Sequence, residues 1–399
     1  MRFTFVVLIL VAMSIPAGAQ TPIADYRSQN FLLHTDLSSE DAEKLLVRLE
    51  TMLKIVSRYW GAKNRKTIEC HVINKIANWS KTGLDQNALR QAGSGGGITM
   101  SQTRSVGRVA NTEAIAFASA VRGTPLHEAV HAYCYLNFGR TGPTWYSEGM
   151  AEMGNFWDEN DPTVTAPDYV IRYLRRSKPV SLREITDPNN KTGDGWQNYA
   201  WRWALCHLLA NNPNYSSRFR VLGLGILTNK PGATFGRTFG NMKEELEFEY
   251  RFLLNHLGRG FDAKACAWDW KTKFKKPRGS SGLVSTIKAN GGWQASRLRV
   301  SSGETYSFTT DGEWRTHPEQ EWLTADGGDG GKGSLMGVLY VDGVLKPPFK
   351  LGATGTFTAE HNGDLYLRCQ DDWTSVTNND GKMKVTMKKS DRISKDKEK

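Results

Sequence analysis

The chain has 399 residues, more than one hydrophobic core usually serves, so two domains are expected. Apolar residues make up 39% of it and aromatic residues 11%, which excludes a disordered protein. The formal net charge is +11, and part of the basic excess lies in residues 271–278 and 388–399. Such runs are typical of solvated linkers and chain ends. No nucleic-acid-binding module surrounds them, so no nucleic-acid partner is expected, and attraction to acidic polysaccharide or a cell surface fits better.

The first 19 residues have the composition of a secretory signal. Arg2 precedes an apolar run over residues 3–15, and small residues follow up to Ala19. A membrane anchor is the alternative, but the run is shorter than the roughly 20 residues that a spanning helix needs. Residues 1–19 are therefore predicted to be a cleaved signal peptide. The protein is expected to be secreted or periplasmic, with no transmembrane segment in its mature form.

Strand and helix patterns are mixed in residues 20–275, which we predict to be one domain. Residues 31–34 and 67–73 have strand-like sequences, and between them Ser38 starts a helix-capping box ahead of apolar residues at helical spacing. A glycine-rich turn at residues 93–97 leads into a short strand at residues 98–100 and is too irregular for a phosphate loop. Residues 124–258 are mostly helical by period. The predicted class of this domain is α+β.

The pattern changes after a stretch of Pro, Gly and Ser, and we predict a basic flexible linker at residues 276–283. Short alternating runs then follow, among them residues 335–341, and they are separated by Gly and Asp/Asn turns. They predict an all-β sandwich over residues 284–390, followed by a charged tail at residues 391–399.

His127, Glu128 and His131 form the pattern His-Glu-x-x-His (HExxH), in a segment that no Gly or Pro interrupts. Residues four apart share a face of a helix, so both imidazoles can reach one zinc ion while Glu128 borders the water that zinc activates. The pattern fixes only three positions and also arises by chance, when two histidines simply lie on a helix surface. The neighbouring sequence must therefore decide.

A second helix-like run carries two carboxylates one turn apart, Glu148 and Glu152. A catalytic zinc takes three protein ligands and keeps one position open, and His127, His131 and Glu148 supply that set. Glu152 is predicted to orient a ligand histidine. An ordinary solvated helix residue is an equally good interpretation of Glu152. Glu152 is also the alternative third zinc ligand, if Glu148 does not bind the metal. The predicted cofactor is Zn²⁺.

The HExxH helix followed by Trp-x-x-Glu-Gly-x-Ala-Glu, from Trp145 to Glu152, resembles the gluzincin metallopeptidases, the group of thermolysin and aminopeptidase N. The layout over residues 25–260 is similar to uncharacterised bacterial peptidase-like proteins of that group. The resemblance implies a thermolysin-like catalytic domain with Glu148 as the third ligand. It also implies that Tyr199 donates to the oxyanion, and a packed helical tyrosine is the alternative.

The chemistry expected of this set is hydrolysis of a protein or peptide substrate. Glu128 would take the proton of the water that zinc activates and later return it to the leaving amine. The Gly-Ala-Met-Glu-Asn strand that holds the free amino end of the substrate in aminopeptidase N is missing. Residues 95–99 fall at the similar position and offer no carboxylate, so aminopeptidase specificity is not expected.

An acidic and amide-rich loop lies between two predicted strands near the C-terminus. Asp371, Asn378 and Asn379 are its natural side-chain ligands for calcium, which needs several oxygens. Over residues 284–388 the sequence resembles a bacterial calcium-dependent galactose-binding lectin. That resemblance implies that the Ser375 carbonyl also contributes. The alternative is an Asn/Asp-rich turn that binds nothing.

The segment from His317 to Gln320, His-Pro-Glu-Gln, resembles the His-Pro-Asp-Gln segment of the same lectin. The resemblance implies that His317 and Gln320 contact a sugar, so glycans or cell-surface polysaccharide are expected partners. Asp372 and Trp373 depart from the lectin, which has smaller residues there.

The leading hypothesis is a secreted zinc-dependent peptidase that the β-sandwich brings to glycan or surface substrates. The alternative is a carbohydrate- or surface-binding protein with an inactive peptidase-like domain, and a structural surface protein is the weakest hypothesis. Glu128 favours the enzyme, because a structural zinc needs no base beside an open position. The remaining histidines have no ligand spacing and are predicted to be structural or surface residues: His34, His71, His207, His256 and His361.

Overall fold

The computed structural model describes residues 22–106, 109–121, 123–158, 161–187, 195–277 and 282–390. The predicted signal peptide and charged tail lie outside the described residues, as does part of the predicted linker, residues 278–281. Within the described part, no helix has the length and apolar character needed to cross a membrane.

A five-stranded sheet forms one side of the N-terminal unit. Its strands are β1 (Ala24–Arg27), β2 (Phe31–Thr35), β3 (Ile68–Ile73), β4 (Gly97–Val106) and β5 (Val109–Ser119). Their spatial order is β1-β2-β3-β5-β4. The central pairs β2–β3 and β3–β5 are parallel, and the outer pairs β1–β2 and β4–β5 are antiparallel. Strand β4 is therefore an edge strand.

The helices of this unit fall mainly after the sheet. They are α1 (Ser39–Trp60), α2 (Gln86–Gly93), α3 (Thr124–Phe138), α4 (Thr144–Phe156), α5 (Asp168–Arg176), α6 (Leu182–Thr186), α7 (Trp196–Asn211), α8 (Ser216–Leu227), α9 (Phe235–Phe239) and α10 (Lys243–His256). Helix α1 begins at the predicted cap, where the Ser38 hydroxyl accepts from the Asp41 N–H, and it ends at Gly61, whose φ is 69°.

The two faces of the sheet have different neighbours, because side chains alternate along each strand. Phe31, Leu33, Cys70 and Val72 face α1 and α3 and belong to the main core. The opposite face carries His34, Glu69 and His71 and a smaller apolar cluster. That cluster contains Ile73, Trp79, Leu89 and Ala92.

The C-terminal unit is a β-sandwich. One sheet has the order β10-β9-β13-β7, with β11 on β9, and the other has the order β12-β8-β14-β6. The strands are β6 (Leu283–Lys288), β7 (Gln294–Val300), β8 (Thr305–Arg315), β9 (Leu335–Val341), β10 (Val344–Leu345), β11 (Phe349–Lys350), β12 (Thr354–Thr358), β13 (Gly363–Cys369) and β14 (Asp380–Lys389). Both sheets contribute to one core, including Leu298, Phe308, Leu367 and Val385.

The two units share apolar packing. Strand β13 is buried on both faces: Leu365 and Leu367 enter the sandwich core, while Tyr366 belongs to the core of the helical unit. The Tyr366 ring lies 4.5 Å from Trp268, and the Phe248 ring of α10 lies 5.2 Å from Tyr340. The sequence did not predict this shared core. The mixed α and β composition and the C-terminal sandwich are as predicted, and the thermolysin-like identity of the first unit stays a prediction.

Candidate metal centre and its cleft

Two adjacent helices position the predicted zinc ligands. Helix α3 carries His127, Glu128 and His131 and packs between the sheet and α4, so residues 125–134 are all buried. Pro125 lies in the first turn of α3, where its missing N–H costs no helical hydrogen bond. Helix α4 carries Glu148, whose side chain faces α3.

The three predicted ligands converge. The distance from His127 Nε2 to His131 Nε2 is 3.1 Å, and the Glu148 Oε2 atom lies 3.1 Å from His127 Nε2 and 3.4 Å from His131 Nε2. In a tetrahedral zinc site with bonds of roughly 2.0–2.1 Å, neighbouring ligand atoms are about 3.3 Å apart. The donor types and their spacing therefore fit zinc without rearrangement.

The electrostatics of the site also favour a cation. Burial opposes a charge on His127, but its hydrogen bonds to Glu148 and Glu152 outweigh burial and hold its pKa well above the ordinary value. Burial likewise opposes the charge on Glu148, yet hydrogen bonds to His127 and His131 lower the pKa of this carboxyl. The carboxylates thus create a negative potential that a proton or a metal ion can neutralise.

Each histidine has a partner on its other ring nitrogen. His127 Nδ1 lies 3.0 Å from the Glu152 Oε1 atom, and His131 Nδ1 lies 3.3 Å from the Ser147 hydroxyl. Such partners fix the tautomer and the ring orientation of a ligand histidine. The Asn155 amide in turn donates to Glu152 Oε2 at 3.1 Å. Glu152 therefore lies where an orienting carboxylate is expected.

The Glu128 side chain reaches the edge strand β4. Its carboxylate Oε2 accepts from the Thr99 hydroxyl of β4 at 2.8 Å, and its backbone carbonyl accepts from the same hydroxyl at 2.9 Å. The side chain passes directly over Gly97, where an added Cβ would lie 2.6 Å from Glu128 Cγ. Strand β4 thus holds the predicted base in one orientation.

An open cleft of about 510 Å³ reaches His127 and Glu128. Residues 95–97 line one side and Tyr199 of α7 the other, and a smaller adjoining space also touches His131 and Glu148. The Tyr199 ring stacks on His127 with 5.5 Å between ring centroids. The predicted ligands, the predicted base and Tyr199 therefore border one continuous opening.

The predicted calcium loop contains two buried oxygens that lack partners among the described residues, Asp371 Oδ2 and Asn379 Oδ1. Such atoms are costly unless a donor or an ion satisfies them, so they fit a bound cation. The other Asp371 oxygen lies 3.4 Å from Lys332 Nζ. Asn378 is exposed, and the Ser375 carbonyl accepts from the Asn378 N–H at 3.1 Å.

The predicted sugar-contacting segment lies at the same end of the sandwich as this loop, because Arg315 at the end of β8 pairs with Asp380 at the start of β14. His317 is partly exposed, and its Nδ1 accepts from the Glu319 N–H at 3.3 Å. Gln320 is exposed, and its side-chain oxygen Oε1 accepts from the Thr316 hydroxyl at 2.6 Å.

Trp373, the bulky residue within the loop, packs against the helical unit. Its ring lies 5.0 Å from Phe252 and 4.7 Å from His256, both on α10. The buried Arg368 guanidinium lies 3.6 Å from the centre of the same ring. The departure from the lectin sequence at this position therefore coincides with a contact between the two units.

The residues that orient the side chains of the metal centre were not predicted from the sequence. Thr99, Ser147 and Asn155 each hydrogen-bond a site residue, and Gly97 makes room for Glu128. Of these, the sequence predicts only that Gly97 lies in a turn and Thr99 in the strand that follows it. Their roles depend on how β4 lies against α3, which no local pattern shows.

No family model matches the chain, and no curated protein matches it. Among solved structures, a chain described as "EclA N-terminal domain; PllA-like lectin" is similar over 27% of this chain and 96% of its own length. Its sequence identity is 16% and the TM-score is 0.24. A TM-score of this size establishes neither a fold nor a function for this chain.

Proposed function

We propose that this protein is a secreted or periplasmic zinc-dependent peptidase. The proposal rests on the mutual spacing of His127 Nε2, His131 Nε2 and Glu148 Oε2, 3.1–3.4 Å, beside a cleft that Glu128 also lines. A structural zinc would be enclosed by four protein ligands, whereas three ligands next to a cleft are typical of a catalytic site.

Different residues of the chain would perform the separate steps of peptide hydrolysis. When bound, zinc supplies a Lewis acid beside the cleft. Glu128, held by Thr99, accepts a proton from the attacking water and later returns it to the leaving amine. Tyr199, whose ring stacks on His127, would donate to the oxygen on which negative charge develops, and this stacking supports the assignment.

The edge strand β4 offers a surface for an extended peptide. One side of β4 pairs with β5, and the strand is the last in its sheet. An extended chain can add to such an edge through main-chain hydrogen bonds. Residues 97–99 of this strand border the cleft, so a peptide lying there would pass Glu128. This arrangement supports cleavage within a polypeptide.

A test is to load the purified mature chain with zinc, measure metal per chain, and assay a pool of denatured proteins against the Glu128→Gln variant. We expect the same zinc content in both forms and at least a 100-fold loss of cleavage in the variant, since a positioned base contributes about 10²–10⁴-fold. The exposed substitution Glu319→Gln is the matched control and should leave cleavage unchanged. Equal cleavage by Glu128→Gln and the unmodified chain would refute the mechanism.

The second candidate function is carbohydrate or surface binding by the β-sandwich, with or without turnover in the cleft. The unpartnered oxygens of Asp371 and Asn379 favour it, because they suit a Ca²⁺ ion that a sugar could share. Its test is retention on immobilised galactose with calcium and with a chelator. Calcium-dependent retention that Asp371→Asn abolishes, together with no cleavage in any form, would replace the peptidase with a binding protein.

A further inference from the structure

Three strands of the N-terminal sheet bring a second group of metal-ligating side chains together. His34 on β2 pairs in register with His71 on β3, and Asp25 on β1 pairs with His34. Glu69 precedes His71 by two residues, so its side chain is on the same face. This face is opposite to the one that packs on α3, which carries the first centre.

The ligand atoms of the group lie close together, but the His34 and His71 rings stack at 4.6 Å with 15° between their planes, so one ring must turn for both Nε2 atoms to bind one ion. The Glu69 Oε1 atom lies 3.2 Å from His71 Nε2 and 3.5 Å from His34 Nε2. One ligand atom from each of the three residues lies within 4.8 Å of the others. The two distances from Glu69 are close to the ligand spacing of about 3.3 Å in a tetrahedral zinc site.

Asp25 determines which nitrogen of His34 carries the proton. Its carboxylate lies 2.7 Å from His34 Nδ1, so the Nδ1 proton points to Asp25 and Nε2 of the neutral ring becomes an acceptor. That acceptor then faces the Glu69 carboxylate, another acceptor, at 3.5 Å. Either a proton on Nε2 or a metal ion between the two atoms removes the conflict, and the second case is the carboxylate–histidine–metal arrangement.

The surroundings also suit a bound ion. His71 is 6% exposed, so its ring is largely shielded from solvent. The Phe117 ring stacks on His71 at 4.9 Å and the Trp79 ring packs edge-on at 5.9 Å, which closes one side with apolar groups. The Glu69 side chain is 38% exposed and leaves the other side accessible.

We propose that His34, Glu69 and His71 form a second divalent-metal site, oriented by Asp25 and separate from the cleft. Two imidazoles and one carboxylate select a borderline ion such as Zn²⁺ or Co²⁺ over Ca²⁺ or Mg²⁺. The bound ion ties β2 to β3, and through Asp25 it also fixes β1. The proposal does not rest on the peptidase function.

The test uses the full mature chain with His127→Gln and His131→Gln, which removes the first centre. After chelator treatment and reloading, we expect about one Zn²⁺ or Co²⁺ per chain by elemental analysis, and a visible absorption band for Co²⁺. Adding Glu69→Gln should weaken binding at least 10-fold, measured by competition with a chelating dye. His361→Gln, an exposed histidine of the sandwich, should change nothing.

Absence of metal from the double variant, when its circular dichroism matches that of the unmodified chain, would overturn the proposal. Binding that survives both Glu69→Gln and His34→Gln would also overturn it. Because the first centre is removed in every sample, these outcomes are independent of whether the cleft is catalytic.

Discussion

At the scale of single residues, Gly97 leaves room for the Glu128 side chain, because it has no Cβ. A Cβ there would approach Glu128 Cγ to 2.6 Å and the Phe117 carbonyl oxygen to 2.9 Å. We expect Gly97→Ala to lower the free energy of unfolding by about 1–3 kcal/mol, the usual cost of overpacking. It should also reduce cleavage more than it reduces bound zinc, because it displaces Glu128 and not the ligands. Chemical denaturation, elemental analysis and the cleavage assay measure the three effects.

The matched control for this prediction is Gly236→Ala, since an added Cβ there meets no described atom within 4 Å. It should leave stability within about 0.5 kcal/mol and leave cleavage unchanged. If Gly97→Ala behaves like Gly236→Ala in all three measurements, the contact between β4 and Glu128 does not position the base.

The ligands of the first metal centre can be predicted from the sequence, whereas the second group of metal-ligating side chains cannot. Positions 127 and 131 stand out because helical spacing puts both imidazoles on one face, and position 148 because a second motif supplies a third ligand of a suitable type. His34 and His71 were predicted to lack ligand partners, and the structure shows them adjacent, with Glu69 between their Nε2 atoms. Their meeting depends on the parallel register of β2 and β3, residues 37 apart in the chain, and no local spacing encodes it.

At the scale of elements, helix α4 is held close to its neighbours by glycines on two sides. A Cβ at Gly154 would lie 2.3 Å from the Val130 Cγ2 atom of α3, and one at Gly149 would lie 2.5 Å from the Cys206 sulfur of α7. Small residues at such positions allow two helix backbones to approach closely. The position of Glu148 relative to α3 depends on this close packing.

We therefore expect Gly149→Ala to lower the free energy of unfolding by about 1–3 kcal/mol and to weaken zinc binding. The nearest groups include the Arg202 carbonyl oxygen at 2.8 Å, which is backbone and cannot rotate aside. Thermal unfolding with and without a chelator measures both effects. A variant with unchanged zinc affinity would show that α4 can shift without moving Glu148.

Elements with a strong local pattern were predicted well, and weakly patterned ones were not. Strand β9 was predicted at its observed bounds, residues 335–341, and the cap of α1 at Ser38 is confirmed. The long hairpin of β4 and β5 was missed apart from residues 98–100, because its Ala, Ser, Thr and Gln residues give little apolar alternation. Helix α2, with eight residues, was also missed.

At the scale of the whole molecule, the aromatic contacts between the two units favour joint unfolding. Trp268 is 2% exposed and contacts Phe248 of α10 as well as Tyr366 of β13. We expect one cooperative calorimetric transition for the full chain. Trp268→Ala should lower the free energy of unfolding by about 3–5 kcal/mol while the transition remains single.

The control substitution is Trp322→Ala, because that side chain is 47% exposed and lies away from the contact between the units. It should cost far less than Trp268→Ala. Two separate transitions in the unmodified chain, only one of which moves in Trp268→Ala, would contradict the view that the units share a core.

The loop at residues 371–379 is part of the sandwich, and its Trp373 side chain packs against helix α10 of the helical unit. The loop therefore forms part of the contact between the two units. Connected domains move relative to each other by default, unless a large apolar interface prevents it. The aromatic contacts between the two units favour one orientation of the sandwich relative to the helical unit. Under the proposed functions, a polymer bound at the outer surface of the sandwich would therefore be cleaved at a constant distance from its point of attachment.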